Sequence, residues 1–188
     1  HIGTKGPIET IMHMASDGTD EYELVITENS GIVKVYEGVT EYCGFSSIEA
    51  GKTMGLFPYG KPNDNIPPLF ETTSVLTKSN RNIVIPNYPR GSIINAAPYE
   101  ELMYPVSANI TGEQSTEDVT LLQNRRDLAY ACQTQTQDVC LDLIIKSVEK
   151  TGNKNVVFSG GYGLNCVANY YFLTKLNELG INFYAEPI

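Results

Sequence analysis

The sequence predicts an α/β protein, and the residues after position 115 carry the observations that predict it. A long helical pattern at residues 116–150 is followed by a short apolar strand at Asn155–Ser159. A second helical pattern begins near Leu164, and a second strand follows at residues 181–185. Helices that alternate with strands over short connections are typical of one sheet with right-handed crossovers. We therefore expect the two strands to be neighbours in one sheet, with Asn155–Ser159 buried.

The two helical patterns have apolar faces and recognisable ends. In the first, Leu128 and Cys132 lie on one apolar stripe that repeats with helical spacing. Ser115 or Thr116 can cap its start, and Gly152 is in the position of a C-terminal glycine. The second helix also ends at a glycine, so both boundaries are predicted by more than periodicity.

The first part of the chain gives shorter elements. Residues 21–28 alternate and are rich in β-forming side chains, which predicts a strand, whereas residues 1–10 show little pattern. Residues 33–45 have the spacing of one helical face, and residues 48–56 predict a second, short helix. Both helices stop at glycine or proline.

Residues 61–116 have a different composition and predict a loop-rich insertion. They hold seven of the ten prolines and no sustained period. We expect one short strand at residues 82–86 and one helical turn at residues 99–104. The remainder of the segment is expected to be ordered without long regular elements.

Composition limits the classes of protein and partner. The 188 residues suffice for one domain, and the net charge is −9 with a pI near 4.7. That charge disfavours a broad nucleic-acid surface, which needs lysine and arginine. No apolar run reaches the length of a membrane span. The four cysteines form no CxxC pair, so we expect four buried free thiols and a cytoplasmic location.

A pair of glycines between strand and helix is the strongest candidate for a binding site. Gly160 and Gly161 follow the strand directly, and we expect the helix to begin immediately after them. Glycines let a backbone approach a ligand closely, and a helix N-terminus attracts phosphate. Asn165 would lie in the first helical turn, where it could cap the backbone or bind a nucleotide. A tight connection with no ligand remains the alternative interpretation.

Three segments in the correct order resemble the nodulation and antibiotic O-carbamoyltransferases, the NodU/CmcH group. They are YEGVTEYCGFSSIEAGKTMGLFPYG at residues 36–60, NRRDLAYAC at residues 124–132 and SGGYGLNCVAN at residues 159–169. The resemblance implies an actin-like ATPase (ribonuclease H-like) fold. On this reading residues 1–188 are an incomplete, central fragment of one such domain. Residues 117–188 then form the helix–strand–helix–strand of its second half.

The resemblance also implies an activity for the whole protein. ATP and carbamoyl phosphate would give carbamoyl-adenylate in a separate domain, and the carbamoyl group would pass to a hydroxyl of a small molecule or glycoside. The fragment alone is expected to be inactive, and a homodimer is one expected assembly. Two alternatives stay open: a non-catalytic nucleotide-binding or interaction module, and a relative of the threonylcarbamoyl-transferring tRNA enzymes.

Six residues become candidate nucleotide ligands through the resemblance. Gly160, Gly161 and Asn165 match the family's nucleotide turn, although Tyr162 and Gly163 replace its usual valine and alanine. A second set lies in residues 36–60 and is expected to face the nucleotide from the other side of the cleft. It consists of Glu49, Lys52 and Gly60, with Lys52 at the start of a turn-rich loop.

The family's metal, expected to be iron, is held by a histidine pair and acidic residues. This chain has only His1 and His13, at a spacing that matches no such pair. Asp17 lies in a Ser-Asp-Gly-Thr-Asp sequence, which favours a turn over a catalytic role. We therefore expect the metal ligands outside this chain, interpret His13 as a strand or surface residue, and assign no catalytic residue.

Overall fold

The structure is a computed structural model that describes residues 9–14, 22–28, 32–43, 45–66, 69 and 116–186. Its strands are β1 (Glu9–Met14), β2 (Tyr22–Glu28), β3 (Asn155–Ser159) and β4 (Asn182–Glu186). Its α-helices are α1 (Ile32–Tyr42), α2 (Ala50–Leu56), α3 (Thr116–Thr151) and α4 (Cys166–Glu178). This mixture of helices with small sheets confirms the α/β class.

The described elements fall into two units, and each is considered by itself. One unit holds β1, β2, β3, α4, β4 and the part of α3 from Gln137 onward. The other holds α1 from Lys34, α2 and α3 up to Thr136. The predicted strand at residues 82–86, the helical turn at residues 99–104 and the turn around Asp17 lie outside the described residues.

The core of the first unit is a helix that packs on a parallel strand pair. β3 and β4 pair in parallel, which confirms that they are neighbours in one sheet. The ring of Phe172 on α4 is fully buried, and its centroid lies 5.5 Å from that of Phe158 and 5.7 Å from that of Phe183. Both contacts are edge-on, with an angle of 70° between the ring planes, as aromatic pairs prefer. These three rings hold β3, α4 and β4 together.

The opposite face of this strand pair is exposed, so the prediction of a buried β3 is wrong. Val157 and Tyr184 lie opposite each other in the register, and they are 68% and 60% exposed. Side chains along a strand alternate between faces, and α4 covers one face of this pair. The apolar composition of β3 predicted a strand correctly but did not show which of its faces is covered.

Helix α3 follows the predicted stripe closely. Leu128, Cys132 and Leu143 are buried, and Gly152 ends the helix with a φ of 71°. The same helix also buries polar residues, among them Gln133 and Thr136. The Thr136 hydroxyl donates to the Cys132 carbonyl one turn earlier at 2.6 Å, which satisfies it within the helix.

Buried hydrogen bonds connect the helices of the second unit. The Tyr36 hydroxyl on α1 donates to Gln133 Oε1 on α3 at 2.7 Å. The Thr53 hydroxyl on α2 donates to the Thr40 hydroxyl on α1 at 2.8 Å. All four side chains are buried, so a group that lost its partner in either bond could not form a hydrogen bond with water instead. α2 is thereby fixed on α1, and α1 on α3.

β1 was missed by the sequence analysis, and β2 was predicted. The two strands pair antiparallel, with His13 opposite Glu23 and an irregular register between Ile11 and Met12. The sequence ETIMHM lacks clean alternation, so its strand conformation depends on pairing with β2. His13 therefore lies in a strand, as expected.

The expectation of four buried thiols holds for Cys43, Cys132 and Cys140, whereas Cys166 is exposed at the start of α4. Burial raises the pKa of Cys43 to about 12, although the nearby Arg125 opposes this shift. Burial likewise raises the pKa of Cys132 well above its ordinary value. All four are free thiols.

We predict that a thiol-reactive disulfide reagent at pH 8 modifies one cysteine rapidly in the folded protein and all four after unfolding. The thiolate is the reactive form, and burial keeps Cys43 and Cys132 neutral at this pH. Cys166→Ser should remove the rapid phase. A rapid phase that persists in this variant would contradict the assignment.

We predict that Phe172→Ala lowers the free energy of unfolding by about 3–5 kcal/mol, because it leaves a cavity between β3, α4 and β4. The matched control is the neighbouring Leu173→Ala, whose side chain is 48% exposed and should matter little. Urea unfolding measures both changes. Equal losses in the two variants would show that the ring cluster is not the core of this unit.

Candidate functional site

The glycine turn, defined here as residues 160–165, connects β3 to α4. Gly160 has a φ of 102°, a conformation that side chains with a Cβ rarely adopt. A 3₁₀ turn at Gly161–Leu164 follows, and α4 begins only at Cys166. The prediction that the helix starts directly after the glycines is therefore wrong, because Gly161 itself begins the 3₁₀ turn. The start of α4 lies two residues beyond Leu164, near which the helical pattern begins.

The backbone of this turn is open on the side of the two glycines. A Cβ added to Gly160 or Gly161 would meet no atom within 4 Å, and both residues are exposed. At Gly160 the backbone conformation demands glycine, whereas at Gly161 neither packing nor conformation does. A ligand could therefore approach the backbone closely at these two glycines.

Asn165 is the N-cap of α4. Its Oδ1 accepts a hydrogen bond from the Ala168 backbone N–H at 3.0 Å, and the residue is 8% exposed. Its own N–H donates to the Tyr162 carbonyl at 2.9 Å, which closes the 3₁₀ turn. The capping interpretation of Asn165 is confirmed, and contact with a nucleotide stays a prediction.

Asn169 is a second polar side chain at this turn, and the sequence analysis missed it. Its Nδ2 donates to the Gly163 carbonyl at 2.7 Å, whereas its Oδ1 is buried and lacks a hydrogen-bond partner. A hydrogen bond stabilises by about 0.5–1.5 kcal/mol, but a buried acceptor without a donor costs about 1–3 kcal/mol. The spacing of four residues from Asn165, one helical turn, was the available signal.

Lys52 and Glu49 form an ion pair at the surface of the second unit. Lys52 Nζ lies 2.5 Å from Glu49 Oε1 and 5.4 Å from the centroid of the Phe45 ring. The hydrogen bond from Lys52, and then that from the Ser46 N–H, lowers the pKa of Glu49. Lys52 lies within α2 and not at the start of a loop, which corrects the prediction.

Gly60 lies against the backbone of α3. Its φ of −91° is ordinary, but an added Cβ would overlap the Arg126 carbonyl oxygen and lie 2.7 Å from Tyr130 Cβ. The Phe57 ring stacks on the Tyr130 ring at 5.7 Å between centroids. The close approach of the two backbones therefore explains why a glycine occupies position 60. Contact between Gly60 and a nucleotide stays a prediction.

The buried carboxylate of Asp127 holds the chain that follows Gly60. Its Oδ1 accepts from the Lys61 N–H at 3.1 Å and from Gln123 Nε2 at 2.7 Å. Its Oδ2 accepts from Asn63 Nδ2 at 3.0 Å. The sequence analysis did not single out Asp127, because an acidic residue within a helix is ordinarily solvated.

The six candidate residues belong to two units, and each set is described by itself. Glu49, Lys52 and Gly60 belong to one unit, and the residues of the glycine turn belong to the other. In the part of the chain that the structure describes, no three histidine, cysteine, aspartate or glutamate residues group as metal ligands, so these residues do not fit the expected ion. No described helix is long and apolar enough to cross a membrane.

Comparison with known proteins shows which family this chain resembles. Residues 3–182 match the family model described as carbamoyltransferase N-terminus. An uncharacterized protein of Synechocystis sp. (strain ATCC 27184 / PCC 6803 / Kazusa) is 28% identical over 159 residues, which cover 80% of this chain and 24% of that protein. The chain therefore spans about a quarter of the length of this curated relative.

We predict that Gly60→Ala destabilises the protein by about 1–3 kcal/mol, because the methyl group forces the Arg126 backbone to move. Gly55→Ala is the matched control, since a Cβ there meets nothing within 4 Å. It replaces a glycine within α2 and should stabilise by up to about 1 kcal/mol. Urea unfolding of both variants checks the opposite signs. A neutral Gly60→Ala would mean that α3 does not lie where the structure has it.

Proposed function

Because the chain belongs to the carbamoyltransferase family, we propose that it contributes a nucleotide-binding turn to an ATP-dependent O-carbamoyltransferase of the NodU/CmcH type. The family match and the three sequence segments support carbamoyl transfer as the chemistry. The proposed acceptor is a hydroxyl of a small molecule or glycoside. The proposed fold of the whole domain is actin-like.

The observation that carries this proposal is the open backbone of the glycine turn. Gly160 has a φ of 102°, the largest of the three positive φ values among the described glycines, and it turns the chain out of β3 with space beside it. Gly161 leaves that space free, although its own conformation would accept a side chain. A ligand that approaches backbone here would account for a second glycine that packing does not require.

The residues present suit the phosphate part of ATP or carbamoyl-adenylate. Gly160 and Gly161 would admit the phosphate, and the N-terminus of α4, capped by Asn165, would stabilise its negative charge. When bound, carbamoyl-adenylate supplies a carbonyl carbon that a phosphate leaving group activates. The chain's own part is to bind and orient the nucleotide.

The second set of residues would contribute a positive charge. Lys52 carries an ammonium group that can donate to phosphate oxygens, and its side chain is 55% exposed. Glu49 would then lose its hydrogen bond with Lys52 and bond to water instead. Iron, carbamoyl phosphate and the adenylate-forming domain are proposed for the whole protein, beyond the residues described here.

We predict that Gly161→Val in the full-length protein lowers affinity for ATP at least tenfold, about 1.4 kcal/mol, because the side chain fills the space beside the turn. The fold should persist, since a Cβ at this position meets no atom within 4 Å. Gly161→Ala should have a smaller effect than Gly161→Val. Calorimetric titration with ATP, beside a melting curve for each variant, measures both.

An unchanged ATP affinity in a stably folded Gly161→Val variant would refute the nucleotide proposal. A folded full-length protein that binds ATP but transfers no carbamoyl group to any hydroxyl acceptor would favour a non-catalytic nucleotide-binding module. Transfer to tRNA in place of a small molecule would favour the threonylcarbamoyl-type alternative.

A further inference from the structure

We propose that Asn169 is a positioning residue that holds the glycine turn in the shape that binds nucleotide phosphate. The proposal rests on the nucleotide-binding function given above and assigns a role to a side chain outside the six candidate ligands. Asn169 would touch the turn and not the nucleotide, so its effect would reach the ligand through the backbone of Gly163.

The contact joins the first turns of α4 to the middle of the 3₁₀ turn. Asn169 Nδ2 lies 2.7 Å from the Gly163 carbonyl oxygen, and Gly163 is buried. The Asn169 N–H donates to the Asn165 carbonyl at 2.9 Å, so the residue is itself fixed in the helix. A peptide group is planar, and fixing the carbonyl of Gly163 therefore fixes the plane of its bond to Leu164.

Stability alone does not explain an asparagine here. Among the described residues its buried Oδ1 has no hydrogen-bond partner, and this cost is comparable to what its side-chain bond to Gly163 contributes. A leucine of similar size would remove the unpaired Oδ1, but it would also remove the donor to the buried Gly163 carbonyl. What the leucine could not do is bind the Gly163 carbonyl, and the amide is therefore explained by the geometry of the turn.

Positioning differs measurably from a general contribution to stability. The turn would contact the phosphates of a nucleotide, so a displaced turn should weaken the binding of ATP and ADP more than the binding of adenosine. A general loss of stability in this unit should instead weaken the binding of all three ligands and lower the melting temperature. The comparison of these ligands separates the two roles.

The experiment uses the full-length protein with Asn169→Leu and the matched control Asn177→Leu, which changes an exposed asparagine of the same helix. Calorimetry with ATP, ADP and adenosine gives affinities, and thermal unfolding gives stability. For Asn169→Leu we expect at least a tenfold loss of affinity for ATP and ADP and less than a twofold change for adenosine. The melting temperature should be nearly unchanged, because the lost bond to Gly163 and the removed unpaired Oδ1 oppose each other. Asn177→Leu should leave all four quantities unchanged.

Two results would overturn the proposal: ATP affinity of Asn169→Leu equal to that of the unaltered protein, or parallel losses for ATP and adenosine with a lower melting temperature. Gly161→Val distinguishes this failure from that of the nucleotide site itself. If Gly161→Val lowers the affinity for ATP and Asn169→Leu does not, then the turn binds nucleotide and Asn169 does not position the turn. If neither variant loses ATP, the nucleotide site is refuted as well.

Discussion

The packing of Phe172 between Phe158 and Phe183 is the contact on which the candidate site depends. It packs the middle of α4 against the end of β3 and against β4. The end of β3 and the N-terminus of α4 are the two ends of the glycine turn. Within that span, Gly160 reverses the chain through its φ of 102°, and Asn165 closes the turn as the helix cap. The turn is thus rigidly held at both ends while its glycine side faces open space. Such a combination suits a backbone that must approach a ligand without collapsing when none is bound.

The second unit achieves rigidity through polar groups. Asp127 is buried, and its carboxylate accepts three hydrogen bonds, from Lys61, Asn63 and Gln123. A buried carboxylate is costly unless its oxygens are paired, so these bonds tie the chain after Gly60 to α3 specifically. Because Gly60 has no Cβ, the two backbones can meet closely enough for the Lys61 N–H to reach the carboxylate. The absence of a Cβ at Gly60 therefore permits the hydrogen bond between Lys61 and Asp127.

Elements whose conformation is decided by neighbouring residues were predicted correctly from the sequence. Features that depend on contacts between distant residues were not. Helix α3 was predicted almost to its last residue, because its apolar stripe and Gly152 are visible in the chain. β1 was missed since its pairing with β2 decides its conformation. At the candidate site, the cap at Asn165 was open to prediction from its position. The bond from Asn169 to Gly163 and the role of Asp127 were not, because each depends on the direction of a side chain in the folded structure.

The two sets of candidate residues differ in the contacts that they already make within the protein. Lys52 already donates to Glu49 and lies over the Phe45 ring, so an anion must share or replace these contacts. Both side chains are partly exposed, and an exposed ion pair exchanges partners readily. At Gly160 and Gly161 an added Cβ would meet no described atom within 4 Å, so the backbone there is open to a ligand. If the protein binds nucleotide, the turn should therefore offer it a fixed backbone geometry.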